Sequence, residues 1–78
     1  MTDAQKSMLN EVIWIDPERM SGAPCFKGTR VPVQTLLDYL AGAETIEEFL
    51  LDFPSVSRAQ VIQFLELGKE QLIECASS

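Results

Sequence analysis

The sequence predicts a mainly α-helical domain with a small β-hairpin or sheet near its N-terminus and three helices, the last two forming a helix-turn-helix. Three observations predict it. Apolar residues recur at i, i+3, i+4 and i+7 in three successive segments from residue 32 onward. Each segment has its own start or stop signal, and the second and third are joined only by Phe53-Pro54-Ser55-Val56, the length of a helix-turn-helix turn. Ahead of them lie a short β-branched and aromatic run and a glycine-centred turn, the marks of a strand and a hairpin.

Taken in order, residues 1–10 read as a polar, weakly ordered tail, and residues 11–76 as one domain. Val12-Ile13-Trp14-Ile15 reads as a strand stopped by Asp16-Pro17. Asp16-Pro17-Glu18-Arg19 reads as a turn and residues 20–24 as a loop. Cys25-Phe26-Lys27-Gly28-Thr29-Arg30-Val31 reads as a tight hairpin, with Gly28 where positive φ is required and Val31 held extended by Pro32. Its arms are too short to stand alone and must pair with residues 12–15, in the same chain or in a second copy.

The first helix opens at Pro32, carries Val33, Leu36, Leu37 and Leu40, and stops at Gly42. Thr45 and Glu48 form a capping box for the second, whose apolar face is Ile46, Phe49, Leu50 and Phe53. Ser57 and Gln60 mark the third, with Val56 and Val61 as a hydrophobic staple. Its expected core face is Val61, Phe64, Leu65, Gly68 and Leu72, ending near Glu74.

Composition bounds the function. The chain has 78 residues, one domain's worth, and 46% hydrophobic residues, a globular proportion. A domain of this size buries only about 60% of its unfolded surface, so self-association or a stable partner is expected. There is no histidine, which removes Ser-His-Asp and Cys-His catalysis and leaves acid–base work to carboxylates or lysine. Two cysteines without histidine exclude the usual zinc sites. Cys25 and Cys75 read as buried thiols in preference to a disulfide. Glu66, Glu70 and Glu74 at i, i+4, i+8 form a solvated stripe. Gly28-Thr29 lacks the rest of a phosphate-binding loop. No catalytic residue, cofactor or metal is expected. The N-terminus lacks a signal-peptide pattern and no stretch is long and apolar enough for a membrane span, so the cytoplasm is the expected location.

One string is distinctive. Ile15-Asp16-Pro17, then Gly22-Ala23-Pro24-Cys25-Phe26-Lys27-Gly28-Thr29-Arg30-Val31-Pro32-Val33, then Pro54 before the third helix, resembles the small bacterial domain-of-unknown-function family 433. The resemblance spans roughly residues 12–72, and Cys25 stands where an aliphatic residue is more usual. It implies a winged or homeodomain-like helical fold. It also implies a VapB-type antitoxin encoded beside a PIN-like nuclease.

Candidate functional residues fall into three groups. Arg58, Gln60 and Gln63 project from the first turns of the third helix, where a helix-turn-helix reads base edges; Arg suits guanine and Gln adenine. Lys27 is a phosphate- or partner-contacting candidate at the hairpin turn, equally well a plain turn residue. Gly28, Thr29 and Arg30 anchor the hairpin or meet a partner, and for Arg30 bonding to its own helices is preferred. Val12, Ile13, Trp14 and Ile15, apolar on both faces, are the candidate interface of a homodimer, with Trp14 as anchor.

A formal charge of −6 (six basic against twelve acidic residues) opposes tight DNA binding and suits a basic partner. The function that the family resemblance implies, and that this charge suits, is an antitoxin-like protein that neutralises a PIN-like nuclease and represses its own operon through operator DNA. The alternatives are a stand-alone transcriptional regulator and a protein–protein adaptor.

Overall fold

Phe26 sits fully buried at the centre of the molecule, although it belongs to a strand of two residues. In the computed structural model, which describes residues 2–18 and 22–77, six elements surround it. They are α1 (Asp3–Val12), β1 (Ile13–Trp14), β2 (Cys25–Phe26), α2 (Val33–Ala41), α3 (Ile46–Asp52) and α4 (Arg58–Ser77). Arg19 of the expected turn, and Met20 and Ser21 of the expected loop, lie outside the described residues.

The strands pair antiparallel within the chain, Ile13 opposite Phe26 and Trp14 opposite Cys25. The strand expected over residues 12–15 is thus shorter, because Val12 closes α1 and Ile15 lies beyond the ladder. The expected hairpin is reduced to one bridge, Cys25 to Pro32, around a turn. That turn is tightly specified. Gly28 has φ +78°, which side-chain-bearing residues rarely adopt. Thr29 is buried; its hydroxyl donates to the Phe26 carbonyl at 2.8 Å and accepts from the Val31 N–H at 3.1 Å.

Residues 3–10 of the expected weakly ordered tail belong instead to a helix, α1, capped by Thr2. Thr2 and Gln5 form a reciprocal capping box, satisfying donors that a helix start otherwise leaves unpaired. α1 packs on α4, and Gln5 Nε2 donates to Glu70 at 3.1 Å. This second neighbour turns α4's buried face. Leu67 is buried, whereas Leu72, expected in the core, is 73% exposed.

The helical boundaries follow the expected signals. Thr45 Oγ1 accepts from the Glu48 N–H at 3.1 Å, and Ser57 and Gln60 complete a reciprocal capping box. Val56 and Val61 are both buried. α4 continues to Ser77, a turn beyond the expected end near Glu74. At the end of α2, the left-handed residue is not Gly42 but Ala43, with φ 64°. Glu44 N–H donates to Tyr39 and Ala43 N–H to Leu40, a Schellman closure with alanine where glycine is easiest.

The main core joins Phe26, Val33, Leu36, Phe49, Val56 and Val61. Phe26 meets Phe49 at 6.0 Å and Phe64 edge-on at 5.7 Å, linking the sheet to α3 and α4. Tyr39 packs edge-on against Phe49 and donates its hydroxyl to Asp52 at 2.7 Å, tying α2 to α3. No helix among the described residues is long and apolar enough to cross a membrane. Cys25 is buried as expected, but Cys75 is exposed on α4.

Three outcomes test this account. Thr29→Val, which keeps shape but strands the Val31 N–H, should cost roughly 1–3 kcal/mol by urea unfolding. Ala43→Gly relieves a left-handed alanine and should gain on the order of 0.5–1 kcal/mol in the same assay. The Tyr39 hydroxyl is pushed from its ordinary value of 10.0 up to about 12, chiefly by its hydrogen bond to Asp52 and then by burial. Its neutral form is favoured in the fold, so the tie holds below pH 10.0 and is lost as pH rises through about 12. Ultraviolet titration should show that late midpoint, and Asp52→Asn should lower it.

Candidate functional site

The start of α4 and the hairpin turn lie side by side. Gln60 joins them, because its carboxamide works in both directions. Oε1 accepts from the Ser57 N–H at 3.0 Å, and Nε2 donates to the Lys27 carbonyl at 2.9 Å. Lys27 is in turn bound to α1. Its N–H donates to the Val12 carbonyl at 2.8 Å and its Nζ to the Asn10 carbonyl at 3.0 Å. An ammonium there meets the negative end of a helix whose own last turn has no basic residue.

Arg58 is exposed and donates to Glu47 of α3 at 2.7 Å. That hydrogen bond, more than any other cause, holds the Glu47 carboxyl below the usual carboxylate range. Gln63 is exposed further along α4. Of the four side chains expected to face DNA, Lys27 and Gln60 therefore hold the domain together and Arg58 is ion-paired. Only Gln63 has no hydrogen bond or ion pair among the described residues.

The hairpin anchors separate in the same way. Gly28 and Thr29 shape the turn, while Arg30 is exposed and bonds to none of the described residues. The bonding of Arg30 to its own helices, preferred from sequence, is thus not found among them.

The proposed interface strand has its covering inside the chain. Val12 is buried, Ile13 packs against the core, and Trp14 Nε1 donates to the Thr29 carbonyl at 2.9 Å. Ile13 and Trp14 are half-buried and Ile15 is 61% exposed. The carboxylates of α4 stay at the surface, Glu66 paired with Lys69 at 3.2 Å. No group of three or more Asp, Glu, Cys or His among the described residues is placed to hold a metal ion.

The surface also carries an apolar feature that helical spacing alone did not reveal. A groove of about 610 Å³ runs between α2 and α4, lined by Leu37, Phe64, Leu65, Gly68, Leu72 and Ile73, with Lys69 and Gln71 as its polar members. A signal was present: from residue 61 to 73, α4 carries seven large apolar side chains, more than one face can hold. Assigning Leu72 to the core hid it.

Comparison with curated proteins and with solved structures finds no match. Residues 13–67 match the model of the family described as "Protein of unknown function (DUF433)". That span begins at β1, runs through the Phe26 turn and the α3–α4 link, and ends at buried Leu67. It covers well over half of the chain, and the chain belongs to the DUF433 family.

Proposed function

We propose that this protein is a cytoplasmic, non-enzymatic binding protein of the antitoxin type, and that its partner is a PIN-like nuclease. One observation carries the protein-binding part of the reading: the apolar groove between α2 and α4, on a chain of net charge −6. Exposed apolar surface of this kind marks contact with another macromolecule, and a strongly acidic chain is suited to a basic one. The geometry at the head of α4 supports protein over DNA as the first partner. Gln60 and Lys27 would have to abandon their bonds within the fold to reach a duplex. The nuclease as the class of partner is implied by the family resemblance.

A second activity, repression of its own operon, draws on the exposed positions of Arg58 and Gln63 at the head of α4. A homodimer would set two such helices on two half-sites.

Co-expression of the tagged chain with a PIN-like nuclease encoded beside it tests the principal reading. A stoichiometric complex with suppressed RNA cleavage is expected; a free and fully active nuclease rejects it. For the second activity, Arg58→Ala should abolish operator binding and leave the circular dichroism spectrum unchanged. Unaltered operator affinity removes α4 from that role.

A further inference from the structure

We propose that the groove between α2 and α4 is a docking site for an amphipathic helix of the partner protein, one whose apolar face is flanked by lysine or arginine. The inference rests on the binding-protein reading above and specifies the chemistry of what is bound.

The shape comes first. Leu72 and Ile73 are 73% and 58% exposed, and with Leu37 on α2 they form the walls of a trough along the C-terminal half of α4. A volume of about 610 Å³ is ample for several side chains, and an apolar groove between two helices accepts a third through anchors at i, i+3, i+4 and i+7.

Gly68 is the second observation. It lies inside a 20-residue helix, where glycine is less favourable than alanine by about 1 kcal/mol. A Cβ added there would meet nothing within 4 Å, so the packing of this chain does not require glycine. It lines the groove, where a missing side chain lets another backbone approach closely.

Charge decides between occupants. Glu66 follows Ile62 by four residues and precedes Ile73 by seven, so it borders the apolar stripe on α4; Asp38 follows Leu37 on α2. The last turn of α4 contains Glu74 and no basic residue, leaving the negative end of the helix uncompensated by its own sequence. Lys69, the one cation among the described residues that line the groove, is paired with Glu66. A second copy of this chain would bring another charge of −6 and the same acidic border against this one. A helix with basic flanks meets both borders with opposite charge.

The probe is a synthetic amphipathic helical peptide of leucine and lysine, titrated into the full-length ¹⁵N-labelled protein, with a leucine–glutamate peptide of the same pattern as control. Expected are shifts confined to the amides around Leu37, Gly68, Leu72 and Ile73, and no binding of the glutamate peptide. Leu72→Glu is the decisive variant, because it adds negative charge while spoiling the groove. Docking predicts at least tenfold weaker binding, whereas attraction by net charge alone predicts equal or tighter binding and overturns the proposal. Gly68→Leu, which fills the trough without altering charge, should weaken binding similarly, with helix content and melting temperature retained in both variants. Equal binding of the glutamate peptide also overturns the proposal. So does a peptide-free dimer abolished by Leu72→Glu, which would make a second copy the occupant. Nuclease co-purification separates the two readings. Nuclease retained by Leu72→Glu sinks the groove and leaves the antitoxin reading standing, and nuclease lost with that variant supports both. If the wild type captures no nuclease, the antitoxin reading falls and the peptide titration still judges the groove.

Discussion

The burial of Phe26 is the constraint on which the rest of this domain depends. A two-stranded sheet of two residues per strand has no stability of its own, yet it carries the ring that touches both Phe49 and Phe64. Remove that ring and α3 and α4 lose a neighbour that both of them touch. The ring stays in place because the chain turns back immediately after it. Gly28 allows the reversal, and the buried Thr29 hydroxyl ties the turn to the Phe26 carbonyl and the Val31 N–H. The Phe26–Val31 part of the most distinctive string in the sequence thus has a role in folding.

Side-chain bonds between elements then substitute for core volume. Gln60 reaches from α4 to the turn, Lys27 from the turn to α1, Trp14 from β1 to Thr29, and Tyr39 from α2 to α3. None is a large contribution, each net hydrogen bond being worth about 1 kcal/mol. Their value lies in arrangement: each joins two separate parts of the chain, which restricts how so few residues can pack.

Local signals were legible where they are self-contained. The Thr45 and Ser57 caps, the Val56–Val61 staple and the Gly28 turn each involve residues within five positions of one another, and each is present. What was missed depends on distant neighbours. α1 is polar over most of its length and offers little apolar periodicity; only its Thr2–Gln5 capping box announced it. Once α1 lies on α4, Leu67 faces inward and Leu72 outward, a choice that helical periodicity alone does not make. The candidate site suffered from the same gap. Three of the four side chains chosen for DNA contact by type and spacing, Lys27, Arg58 and Gln60, are bonded to other elements, and the groove emerged only when the burial of α4 was known. Ala43 illustrates a different limit: glycine at 42 drew attention from the residue that in fact adopts the left-handed conformation.

The placement of α1 has a consequence for the order in which the molecule comes apart. This helix contributes to the interior chiefly through Val12, and its remaining attachments are the polar bonds of Gln5 to α4 and of Lys27 to its final carbonyls. Water competes readily for bonds of that kind, whereas the aromatic cluster around Phe26 is shielded from it. The domain thus consists of a durable kernel and a detachable strap. Opening of α1 should therefore precede opening of the kernel and expose the face of α4 on which α1 packs.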